Sequence, residues 1–129
     1  MHSSGKVLLN NVTGAVISDA ENVDNSRHVV LAIAAEGTPT LRIRVKGSVQ
    51  QDSPNFGAPQ TKDNLWFYIM LKDIADGATI DGITGISFAG AAGYRMMEVN
   101  TNGLKHFVAE VDNHTDGEVT VYSRAFTER

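Results

Sequence analysis

Imidazole titrates near neutral pH and is the commonest metal ligand, so the histidines are the first residues to weigh for chemistry. His2, His28, His106 and His114 fall in no H-x-x-x-H or H-E-x-x-H spacing, and with no cysteine in the chain they form no compact ligand set. They read as structural or exposed. Asp19, Glu21, Asp24 and Asn25 cluster oxygen donors suited to Ca²⁺, but the spacing and closing glutamate of an EF-hand are missing, and a solvated loop is the preferred reading. Asp76 and Asp81 each precede a glycine, where an aspartate side chain closes a turn on its own backbone. No serine lies in a G-x-S-x-G elbow. Gly90-Ala91-Ala92-Gly93 lacks the Lys and Ser or Thr of a phosphate-binding loop. The expectation is a protein without enzymatic activity, catalytic residue, cofactor or metal.

Two other groups are better placed to bind. Arg42, Arg44 and Lys46 alternate along one strand face and form a cationic row. A solvated outer face is the preferred account of it, and an acidic partner surface the other. Trp66, Tyr68 and Met70 share a face opposite Leu65, Phe67, Ile69 and Leu71, so the segment is apolar on both sides. Trp, Tyr and Met are enriched at interface cores, while small monomers rarely expose large apolar patches. Either the loop over residues 51–64 covers this second face or another subunit does. Trp66, Tyr68, Met70, Arg42 and Arg44 are therefore the candidate interface residues.

The elements that must position these residues are strands. Arg27 to Ala34 is apolar on nearly both faces and predicts a strand covered twice. After a turn at Glu36-Gly37-Thr38-Pro39, Leu41, Ile43 and Val45 alternate with Arg42, Arg44 and Lys46, giving one core face. Residues 18–26 read as a loop. Residues 51–64, with Pro54, Gly57 and Pro59, disfavour both helix and ladder and read as a long exposed excursion. Asn102-Gly103 and Asp116-Gly117 separate β-patterned runs and predict hairpins, because primed turns need the positive φ that Asn and Gly adopt cheaply. About eight to nine short strands at regular turn spacing predict an all-β chain, a single antiparallel β-sandwich or jelly-roll-like domain over residues 7–129. Residues 1–6 read as a flexible arm, native or left over from expression.

Composition sets the outer bounds. At 129 residues the chain suits one domain, and 42% hydrophobic with 20% charged residues is ordinary globular material. The net charge of −4 argues against nucleic acid, which cationic side chains bind by displacing counterions. No apolar run approaches the roughly 20 residues that span a bilayer, and the first six residues lack a signal-peptide core, so no membrane partner is expected.

Leu65-Trp66-Phe67-Tyr68-Ile69, Arg95-Met96-Met97-Glu98-Val99-Asn100, Gly103-Leu104-Lys105 and Asp116-Gly117-Glu118-Val119-Thr120-Val121 carry a resemblance. With Arg44-Val45-Lys46-Gly47-Ser48, they resemble the W-x-Y-I, R-x-x-E-x-N-x-N-G-L-K, D-G-x-V-T-V and R-V-K-G-S runs of small virion structural proteins of tailed bacteriophages. The resemblance covers most of the chain from about Leu41 onward. It implies a non-enzymatic β-domain made in the host bacterial cytoplasm and bound in many copies to the virion. The favoured role is a capsid decoration (cement) protein at the capsid surface that stabilises the head, partnered by the major capsid protein or another virion protein. Such proteins commonly act as homo-oligomers, here expected to be trimers. A tail or baseplate component is the alternative, and a carbohydrate-binding module using Trp66 and Tyr68 is the reading from a different class.

Overall fold

The computed structural model describes residues 3–126, and it is all-β, with no helix among the described residues. Ten strands form one antiparallel sheet: β1 (Ser3–Val12), β2 (Val16–Ile17), β3 (Glu21–Asn22), β4 (His28–Ser48), β5 (Phe67–Tyr68), β6 (Leu71–Asp73), β7 (Thr79–Ile80), β8 (Ile86–Ala89), β9 (Gly93–Asn100) and β10 (His106–Phe126). Its spine is β4 and β10, 21 residues each, paired along their length from His28↔Phe126 to Ser48↔His106. The first half of this ribbon carries β1 on one side and β9, β6 and β7 on the other. The second half carries β2 and β3 beside β10, and β8 and β5 beside β4.

Between those halves the ribbon bends. The register shifts between Asp112 and Glu118, where Asn113 and Gly117 take positive φ, and Gly37 does the same on the facing strand. A Cβ at residue 117 would run into the backbone of Pro39, so only glycine lets the two chains approach there. The Thr38 hydroxyl donates to Asp116 Oδ2 at 2.7 Å and fastens the corner. Val29, Leu31 and Ile33 from one half and Leu41, Ile43 and Val45 from the other meet in a single core with Val99, Phe107, Val111 and Val121. The sheet thus closes on itself as a two-layered, sandwich-like fold.

Several expectations are corrected by this geometry. Glu36 to Pro39 and Asp116-Gly117 do not reverse the chain; they are paired irregularities inside β4 and β10, because a bent ribbon needs the same positive φ as a hairpin. Asn102-Gly103 does turn, with Thr101 accepting from the Leu104 amide, but it links β9 of one layer to β10 of the other, and the two strands do not pair. The segment 65–71 is two strands rather than one, since the chain leaves β4 after Tyr68 and joins β9 and β7 from Leu71. Residues 3–6, expected as a flexible arm, pair with residues 123–126 as the start of β1. Met1, His2 and residues 127–129 lie outside the described residues. The strand from Arg27 to Ala34 is covered on one side only: Val29 and Leu31 are buried, while His28, Val30, Ala32 and Ala34 are half-buried.

Candidate functional site

The outer face of the second layer brings the cationic row together with the aromatic pair. Register sets Arg42 opposite Asp112, Arg44 opposite Glu110 and Lys46 opposite Val108. Arg42 donates through Nε (2.9 Å) and a terminal nitrogen (2.7 Å) to both oxygens of Asp112. Arg44 reaches Asp112 at 2.8 Å and lies 3.2 Å from Glu110, and Lys46 Nζ lies 3.0 Å from Glu110 on the other side. Three cations therefore share two carboxylates in a zigzag down the sheet. The Arg44 nitrogen nearest Glu110 donates instead to Asp112, and Arg44 Nε and Glu110 Oε1 have no hydrogen-bond partner among the described residues.

A lid of chain closes over this ladder. Lys46 Nζ sits 4.0 Å from the Trp66 ring centroid, and the Arg44 guanidinium sits 4.1 Å from that of Tyr68. The two rings meet edge to face at 5.3 Å. Trp66 Nε1 donates to Ala58 O at 2.9 Å, Lys46 Nζ donates to Phe56 O at 2.8 Å, and the Gln60 amide donates to Trp66 O. Phe56 packs with Trp66 and Val108 beneath the polar loop. Loop cover, rather than a subunit, thus occupies the face of Trp66, whose exposure is only 8%. The cationic row is corrected likewise. Arg44 at 9% and Lys46 at 4% are not solvated, because the loop and the carboxylates of β10 enclose them.

The candidate interface residues accordingly divide. Arg42, Arg44, Trp66 and Tyr68 belong to this one assembly, whereas Met70, 55% exposed, stands apart where the chain crosses between layers. The sequence reading omitted Glu110, Asp112 and Phe56. The opposed alternation of 110 and 112 against 42, 44 and 46 was the available signal.

Charge here is matched internally. Hydrogen bonds from Arg42 hold the Asp112 carboxyl below its ordinary range, and Asp112 in turn raises Arg42. Burial, then the charge of Glu110, raises the Tyr68 phenol. Elsewhere Arg95 donates twice to Asp73 and lowers it, and Asp76 and Asp81 accept from the amides of Ala78 and Ile83, the turn role expected of them. Glu21 faces Lys6 at 3.0 Å and Asp24 faces Lys105 at 3.2 Å, so these carboxylates of the suspected cation loop have protein partners. The arrangement is built to hold a loop on a sheet.

No protein-family model matches the chain, and no curated protein matches it in sequence. Among solved structures the chain is similar to the crystal structure of SPBc2 prophage-derived protein YomS, with a TM-score of 0.70 and 13% identity over 96% of this chain and 92% of that one; at that identity the likeness establishes a shared fold.

Proposed function

We propose that this chain is a non-enzymatic structural protein of a bacteriophage virion, acting as a capsid decoration (cement) protein on the head. The observation that carries the reading is that its fold matches that of a prophage-derived protein over 96% of this chain and 92% of that one. The runs shared with small virion proteins point the same way. So does the interior of the ladder, where titratable groups are spent on holding the 51–64 loop rather than presented to a substrate.

In this role the major capsid protein is the partner, and many copies each contribute a weak contact whose effects multiply on the shell. A sugar-binding role loses its platform, since Trp66 has its ring under Lys46 and meets Tyr68 edge to face. Immunogold labelling of purified particles that encode the chain tests the proposal. Gold on heads supports it; gold confined to tails would make the chain a tail component, and unlabelled particles would overturn the virion role.

A further inference from the structure

The face of the first layer turned away from the core carries an apolar row that no described segment covers. Antiparallel partners share a face, so Tyr122 and Met96 flank Ala32, and Arg124 and Glu98 flank Val30. Val7 continues the row beyond Tyr122. Tyr122, Met96 and Val7 are 51%, 49% and 48% exposed, while Val30 and Ala32 form the floor of a shallow trough between them. An outer sheet face normally alternates to polar residues, and a contiguous apolar row on it marks a contact surface.

The charges say what the contact is with. Arg124 and Glu98 lie one strand to either side of β4 in the same row, and Arg124 makes no ion pair with another described residue. Glu98 lies 3.3 Å from His28 Nδ1 and leaves that nitrogen without a hydrogen bond, so it retains capacity for another donor. A two-fold axis along β4, between two stacked copies of the sheet, exchanges the flanks. Arg124 then meets Glu98 of the second copy, and Tyr122 meets Met96, each of them twice. An axis across the strands through the Ala32 row would set Arg124 over Thr120 and leave its charge unmatched.

We propose that this face is a self-association surface that receives a second copy of the chain about a two-fold axis along residues 30–34 of β4. This takes the place of the three-fold assembly anticipated from the resemblance, and it does not rest on the virion reading. Four strands about 4.8 Å apart, seven residues long at about 3.3 Å each, present roughly 450 Å² in plan. That is smaller than the about 800 Å² per partner of a standard interface, so the dimer is of the weak, concentration-dependent class.

Sedimentation equilibrium up to about 1 mM, the weak limit of a specific contact, tests this with charge reversal. The expected result is a reversible dimer that Arg124→Glu and Glu98→Arg each weaken about tenfold or more by setting like charges together, and that the double variant restores. Met96→Lys should also dissociate it, while Val49→Lys, on a more exposed residue outside this face, should not. Circular dichroism confirms that each variant is folded. A monomer throughout, a trimer, a dimer indifferent to both reversals, or a folded double variant that stays monomeric would overturn the proposal.

Discussion

Glu110 faces two cations at once, and its removal leaves Lys46 without a carboxylate and Arg44 with Asp112 alone, under an aromatic cover. Breaking a buried ion pair from one side costs about 3–5 kcal/mol, because the remaining charge keeps its desolvation penalty. Glu110→Ala should therefore lower stability by about that much in urea unfolding. Lys62→Ala, which removes a fully solvated pair with Asp63, should change it by about 0.5 kcal/mol or less. Trp66→Ala should cost about 3–5 kcal/mol and open the 51–64 loop to protease, and Trp66→Phe should isolate the hydrogen bond to Ala58 at about 1 kcal/mol. Asp112 contributes to acid sensitivity. Its folded carboxyl is held below the ordinary value of 3.8, so its stabilisation is complete above that pH and is lost as pH falls through the folded value. Asp73 and Asp116 shift in the same direction. Asp112→Asn should thus flatten the loss of stability below about pH 4 in acid titrations followed by fluorescence. At this scale the sequence displayed the cations and the aromatics but not their meeting, since side chains 20 or more positions apart are joined only by register, which local pattern does not encode.

At the scale of elements, sequence pattern located both stretches of β4, the apolar run from Arg27 to Ala34 and the alternation of Leu41, Ile43 and Val45. It could not distinguish a strand that ends from one that bends, because both use glycine at positive φ. Gly117→Ala provides a measurement of that distinction. In a free hairpin loop the change would cost about 1 kcal/mol, whereas here the new methyl meets the Pro39 backbone and the loss in thermal unfolding should reach about 3 kcal/mol or more. The segment 65–71 misled for a related reason. An uninterrupted apolar run satisfies two short strands in different layers as well as one long strand, and only the Ile69 amide donating to Val45 O records where the chain turns away. β1 was underestimated because Ser3 to Lys6 are polar, yet an edge strand needs few apolar residues when its backbone pairs with β10.

For the whole molecule, pairing is dominated by residues far apart in the chain, from Ser3 with Phe126 to His28 with both Asn100 and Phe126. Folding should accordingly be slow for the size, in the millisecond-to-second range seen for all-β domains, and stopped-flow fluorescence of Trp66 will measure it. The pattern of alternation and turns was enough to anticipate an all-β chain. It was silent on layer connectivity, which depends on where two strands bend. That bend has a mechanical consequence. In most sandwiches the layers touch through side chains and can part as intact plates, but here the same two backbones run unbroken through both. Tension applied to one layer reaches the other along covalent chain and its hydrogen-bond ladder, so neither plate can peel away alone. Stretched between its ends, where Ser3 lies beside Phe126, the domain should first unzip β1 from β10 pair by pair, and only then load the bent ribbon that ties the two layers together.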